Sequence, residues 1–491
     1  MRSKTPRGTG TAMENAKTFE DLQSGLGPAL AANTPGSSVE HVLVALPSYS
    51  VGESLLAHYA PRIPALEHRY LVVYGMLARI PSCHMVFVGS QDPGPDVLDY
   101  YLSLLPPEQR SDVRRRFHVV IAPDVTARSV AEKLLERPDL VDAIRAVADG
   151  RPAFIEPWNV TEHEVAVAQA LQMPVNGTHP DLRPLAYKSA GRRLFREAGV
   201  PLPYGHEDLR TARDVVRAAE DIRRARPACT AVVVKHDDSG AGDGNVVLDL
   251  GSDLRPQVES LPEWYLRDLL AGGVVEERIA GVAFSSPSAQ VDVHPHGRVV
   301  LLATHEQELG GADAQVYMGC RFPADPAYAA DLGRHALAVG EQLPRGGAVG
   351  RLSVDFAAAR GGDGTWRVYA LEVNLRKGGT THPYASLRNH VPGRYDGEAG
   401  RWVATDGSAR SYRSTDNLVD ATWVGLPPAT VVEALRARGL HFDHRKGTGV
   451  VLHMLSCLAV DGRFGLTAIG RDPAHAAELF DQTRAAVAAG V

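Results

Sequence analysis

Cysteine is scarce, with Cys83, Cys229, Cys320 and Cys457 the only four in 491 residues, and no CxxC pair or Cys/His ligand spacing among them. That excludes a disulfide framework and a thiolate zinc site. No apolar run approaches the ~18 residues of a membrane span, and no signal-peptide pattern opens the chain. The expectation is a cytoplasmic protein with reduced thiols and no membrane partner. A basic excess is missing as well. The net charge is −6 and the cluster VRRRF at 113–117 is isolated, which argues against a nucleic-acid partner, whose footprint is a basic stripe. Familiar nucleotide and metal fingerprints are absent too. No GxGxxG follows an expected strand, so a nicotinamide or flavin site is not expected. There is no GxxxxGK[ST], and HEQEL at 305–309 lacks HExxH spacing, so that stretch reads as an exposed strand end.

What is present is long enough for two or more domains, with an ordinary globular balance of 44% hydrophobic and 22% charged residues. Residues 1–38 are polar and rich in Gly, Ser, Thr and Pro, and are expected to form a mobile arm with at most one short helix. From residue 39 the short apolar runs HVLVALPS, MVFVGS, FHVVIAP and PAFIEPW alternate with helical stretches. That is the pattern of a parallel sheet with helices on its faces, a Rossmann-like α/β domain over 39–175. Loops 47–50, 89–91 and 156–159 would line the strands' carboxyl edge, where ligands of such sheets bind.

Residues 173–205 read as a helix carrying Lys188, stopped by Gly199 before VPLP. In 229–250 the strand AVVVK ends at Lys235, and Ser239, Gly240, Gly242 and Gly244 follow in SGAGDG. Glycines let successive backbone N–H groups face one anion, and a lysine beside them can meet phosphate as a point charge. By itself this is equally a flexible hairpin tip. VVEERIAG, with Glu276, Glu277, Arg278 and Ile279, reads as a strand. Residues 391–491 open with a polar loop over 391–416 and continue as helix, two strands and a final helix capped by Asp472. They read as an α+β covering module.

The chemistry concentrates in 350–384. RLSVDFA and VYALEVN alternate apolar and polar residues around the turn RGGDGTW, an antiparallel hairpin. Leu352, Val354 and Phe356 share one face, as do Leu371, Val373 and Leu375. Asp355, Glu372, Asn374 and Arg376 take the other. With the turn between Asp363 and Gly364, Asp355 faces Glu372, with Cβ atoms only ~5 Å apart, where like charges repel. Such a pair is either a solvated face or a site for a hard cation, which takes oxygen ligands.

The order of these signals is more specific than any one of them. Lys188 before AGVPLP, Lys235 before the glycine loop, VVEERIAG and the acidic hairpin together resemble the ATP-grasp superfamily over 176–390. The N-terminal domain and RFGLTAIGRDP look like its pheganomycin-type peptide-ligase branch. The resemblance implies a Rossmann-like pre-ATP-grasp domain, a two-subdomain ATP-grasp core of mixed α/β and α+β character, and a C-terminal module. It implies ATP and Mg²⁺, with Lys188 and Lys235 on the phosphates beneath a lid formed by 239–244. Glu276 would meet the adenine amino group and Glu277, Arg278 and Ile279 the ring edge. Asp355, Glu372 and Asn374 would hold Mg²⁺, and Arg376 with Lys235 would act on the reacting phosphoryl group. The implied reaction is ATP-dependent ligation of a small carboxylic or amino acid donor, expected to be nonproteinogenic, to the N-terminal amine of a peptide in natural-product biosynthesis. A homodimer is among the assemblies it allows. Two alternatives stay open: a ligase for small amines or dipeptides, and a non-catalytic nucleotide-binding regulator. Arg278, Leu375 and Asp355 stand where that superfamily often has an aromatic residue, a proline and a glutamate.

Overall fold

The computed structural model describes residues 17–50, 59–239, 244–310 and 316–488. Gly240 and Gly242 of the expected lid lie outside these. A four-stranded parallel sheet comes first, in the order Phe117–Ile121, Cys83–Gly89, His41–Leu46, Ala153–Pro157. Every residue of His41–Leu46 is buried, as expected of a parallel strand covered on both faces. Residues 17–38 depart from the expected arm. They form two short helices, Phe19–Gln23 and Leu26–Ala32, whose Phe19, Leu22, Leu26 and Ala29 are buried. The first is fixed by a Thr18/Asp21 capping box. Four well-spaced apolar residues suffice to dock a stretch whose average composition is polar.

A second sheet of four antiparallel strands runs Gly205–His206, Gly273–Glu277, Ala231–His236, Val246–Asp249. The helix Ala212–Ala225 packs on it through Val215, Ala218, Ala219 and Ile222. The expected single helix over 173–205 is broken. A 3-10 segment Pro180–Ala186 ends at extended Tyr187, and the α-helix Lys188–Glu197 starts there. Pro184 lies within the 3-10 segment, where it removes a helical donor, and the break itself comes at Tyr187, with φ −61° and ψ 146°. Lys188 is therefore a first-turn residue.

The largest sheet has eleven strands, with Gly350–Arg360 between Trp366–Asn374 and Pro287–Val293. It continues through Val299–Gly310 and Val316–Phe322 into Ala409–Val419 and Arg463–Gly470. HEQEL is thus not an exposed strand end. It lies inside Val299–Gly310, with His305 fully buried on the Tyr412 hydroxyl at 2.6 Å and Glu306 4% exposed. Nor is 391–416 a loop, since Gly393–Asp396, Arg401–Ala404 and Ala409–Val419 are strands carrying buried Trp402 and Tyr412. Turn residues at close spacing hid short strands there. GVVLHMLSCLAV is a strand only to His453 and turns helical after Met454.

The final strands extend the central sheet rather than cover it. Phe87 of the parallel sheet, Trp402, and Leu466 of the last strand share one hydrophobic cluster. That continuity predicts one cooperative melting transition. Phe87→Ala and Leu466→Ala, each costing ~2–5 kcal/mol by cavity formation, are expected to lower the same calorimetric peak. Two peaks moving separately would contradict it.

Candidate active site

The acidic hairpin forms in the expected register, with Asp355 opposite Glu372 and Ser353 opposite Asn374. One detail differs. A bulge follows Asp355, so Phe356 pairs with Ala370 and Leu371 is the extra residue. Ala370 enters the core at 1% exposure, while Leu371 lines the cleft instead of the expected buried face. A bulge breaks the two-residue alternation and re-aims the side chains beside it.

Asp355, Glu372, Asn374 and Arg376 line a cleft of about 1650 Å³ that also reaches Lys235 and Glu276–Ile279. Asn374 Nδ2 donates to Asp355 Oδ2 at 3.0 Å and Gln307 Nε2 to Oδ1 at 3.3 Å. Burial, and then the facing Glu372, push the Asp355 carboxyl up to about 6. Lys188, 6% exposed, donates to Glu372 Oε1 at 3.1 Å and to the Ser239 carbonyl at 2.6 Å. The helix start, the foot of the glycine loop and the acidic hairpin therefore meet at one ammonium.

Lys235 and Arg192 grip the two oxygens of Glu276, Lys235 on Oε1 and Arg192 on Oε2 at 2.8 Å, with Glu276 3% exposed. An adenine amino contact would have to share one of these oxygens with the cation already on it. Glu277 accepts from the Tyr204 backbone at 2.8 Å, and the Arg278 N–H donates to the Ala231 carbonyl. Gly244 adopts φ +77° at the lid's far foot, a conformation that favours glycine.

Several contributors had no clear sequence signal. Lys377 joins the hairpin's end to the parallel sheet, donating to Glu156 Oε1 at 2.8 Å and to the Pro157 carbonyl. Of the strand-edge loops, Tyr49 and Trp158 reach the cleft. Ser50 and Ser90 are instead engaged by Glu164 and Glu67. Arg69 lies over the Trp158 ring at 4.5 Å and pairs with Asp416 at 2.7 Å. His382 and His453 each place Nε2 2.7 Å from Asp416 Oδ1, and both Nδ1 atoms are buried without a partner. A metal-bound histidine normally passes its other N–H to an acceptor, so this trio is a hydrogen-bonded knot that fixes Asp416. Arg192 was legible in principle, four residues after Lys188 on one helix face.

A relative from Streptantibioticus cattleyicolor, L-propargylglycine–L-glutamate ligase, is 31% identical over 456 residues, covering 88% of this chain and 92% of the relative. The chain belongs to the ATP-grasp carboxylate–amine ligases. Residues 430–483 match the family described as the PGM1 C-terminal domain. The biotin carboxylase of Campylobacter jejuni, solved with β,γ-ATP, superposes at TM-score 0.56 and 14% identity, covering 91% of each chain. N5-carboxyaminoimidazole ribonucleotide synthetase, solved with ADP, gives 0.51 at 11% identity over 91% of this chain and 96% of that one. Such distant likenesses carry the fold alone. Like its family, this ligase uses ATP and Mg²⁺, and the oxygen-only set on the hairpin suits a hard cation. Among the described residues, no helix is long and apolar enough to cross a membrane.

The raised Asp355 carboxyl carries a pH signature. The folded chain holds this proton more tightly than an unfolded chain does, so apo stability falls as pH rises from about 4 to about 6. Asp355→Asn is expected to stabilise the metal-free protein at pH 7.5 by ~1–3 kcal/mol, with the gain vanishing below about pH 4. Mg²⁺ binding to the native protein should weaken as pH falls through about 6. Calorimetric melting without metal tests the first, and titration calorimetry the second. An Asp355→Asn protein no more stable than the parent at pH 7.5 would refute it.

Proposed function

We propose that this ligase joins the carboxylate of an amino acid to the amine of a second amino acid or a peptide N-terminus. The observation that carries the reading is the convergence of Asp355, Glu372 and Asn374 in one cleft with Lys235 and Arg376, with Lys188 bonded to Glu372. The cleft also exceeds the roughly 300–1,000 Å³ of a single small-ligand site, which supports a nucleotide together with further substrates. The relative's two substrates, propargylglycine and glutamate, make small amino acids the first donors and acceptors to try. A peptide acceptor is the longer version of the same chemistry.

A carboxylate is a poor electrophile because oxide would have to leave. Its oxygen attacks the γ-phosphorus of ATP, ADP departs, and the acyl phosphate now carries a good leaving group. The acceptor's neutral nitrogen then attacks the acyl carbon, phosphate leaves, and the nitrogen loses its proton. Asp355, Glu372 and Asn374 would hold Mg²⁺, which offsets phosphate charge when bound. Lys188 and Lys235 would turn from their carboxylate partners toward phosphate oxygens. Until nucleotide binds, Glu276 holds Lys235, and the backbone of 277–279 would meet the adenine ring edge. Arg376, which donates to the Lys377 carbonyl at 3.1 Å, would act on the transferred group. Closure of the lid over 239–244 would keep water from the acyl phosphate.

ADP release across a panel of amino-acid donors, with hydroxylamine as a trapping nucleophile, tests this. A hydroxamate should form with at least one donor, and Glu372→Ala should slow ADP formation at least ~100-fold. Tight Mg·ATP binding with no hydroxamate from any donor would instead favour a nucleotide-binding regulator.

A further inference from the structure

Arg62, from the 3-10 turn Ala60–Arg62, and Arg463, from the strand Arg463–Gly470 of the eleven-stranded sheet, line the same cleft as Arg69 and Asp416. Both line the cleft, and both side chains are 17% exposed. They share a single carboxylate oxygen. Asp461 Oδ2 is 3.6 Å from Arg62 Nε and 3.2 Å from Arg463 Nε. Arg463 also donates to Asn417 Oδ1. Among the described residues the Arg62 guanidinium donates no hydrogen bond, and its ring neighbour is Tyr59 at 5.2 Å.

Among the described residues the charge here does not balance. Arg69 is matched by Asp416, leaving two guanidiniums against Asp461. Largely desolvated guanidinium groups normally find acceptors, and their planar fork matches a carboxylate. An anion seated between Arg62 and Arg463 would restore neutrality and use the donors that Arg62 directs at no described group. It cannot be the carboxylate under activation, which must lie by the hairpin beside Asp355, Glu372 and Arg376. Arg376 by the hairpin and Arg463 with Asn417 line one and the same cleft. A substrate laid along it would have its anion at one end and its reacting group at the other.

We infer that Arg62 and Arg463 form a carboxylate subsite for the acceptor, holding it so that its amine points back toward the acyl phosphate. The inference rests on the ligase reading above and names the acceptor class: amines that carry a carboxylate not consumed in the reaction, with acidic amino acids and free-acid peptides foremost. In this arrangement Asp461 is a positioning residue that spaces the two guanidiniums.

The test offers acceptors in matched pairs, L-glutamate with L-glutamine and L-isoglutamine, and Ala-Ala with its C-terminal amide. Donors are those that give a hydroxamate. The free acid should be preferred, and Arg62→Met or Arg463→Met should raise its KM by ~10–100-fold, the scale of a charge-assisted bond. The KM for the matching amide, for ATP and for the donor should stay near the parent values, and Arg62→Lys should recover part of the loss. Hydroxamate formation without acceptor should be unchanged in both variants, which also shows that they fold. Equal loss on acid and amide, no acid preference in the parent, discrimination confined to the donor, or hydroxamate with no product from any acceptor would each overturn the subsite. Absence of hydroxamate from every donor would instead overturn the ligase reading itself.

Discussion

Two carboxylates placed across one strand pair are the constraint to which the rest of this structure answers. At ~5 Å and an effective dielectric near 20, the repulsion between Asp355 and Glu372 is ~3 kcal/mol when both are ionised. The fold meets it from three directions. Lys188 is carried to Glu372 by a helix that starts where extended Tyr187 ends the preceding 3-10 segment. Asn374 donates to Asp355 from the next strand and Gln307 from the strand two over on the other side. The remainder of the strain is left in the raised Asp355 carboxyl. A site that is uncomfortable when empty and relieved by a cation is what metal-dependent phosphoryl transfer asks of a protein.

The same economy governs the lysines. Lys235 and Arg192 share Glu276, so a buried acid is neutralised by one cation from a strand and one from a helix. Removing Glu276 would leave Lys235 buried without a carboxylate partner, which is far more costly than the pair is stabilising. Lys377 does for the domain arrangement what Lys188 does for the hairpin. It ties the end of the acidic strand to the carboxyl edge of the parallel sheet through Glu156 and Pro157. The N-terminal domain and the central sheet, joined by this buried ion pair, line the cleft together with the second sheet.

Much of the fold was legible because it was written in local patterns. Alternation marked the hairpin and fixed which residues share a face, and short apolar runs between helical stretches marked the parallel sheet. Where local signals conflicted, tertiary packing decided. His305 and Glu306 look like a polar strand end, yet Tyr412, Ser285 and Tyr328 accept them into the core. The turn-rich 391–416 looks like a loop, yet each short strand finds an edge to join. Leu371 shows the limit of alternation, since a bulge cannot be read from a period of two.

By itself, then, the sequence determined the acidic hairpin, the identity of its four cleft-facing residues and the two lysines upstream. These depend on strand periodicity and on the order of short motifs, both properties of contiguous residues. Only the tertiary structure decided which charges meet: Lys188 with Glu372, Arg192 with Glu276, Lys377 with Glu156, Arg69 with Asp416, and Arg62 with Arg463 around Asp461. Pairings between residues as far apart in the chain as Arg62 and Asp461 leave no trace in local spacing. They arise because the parallel sheet from the first third of the chain and the eleven-stranded sheet from its second half pack on one another, and a charge buried between them must find its partner wherever the packing has brought one.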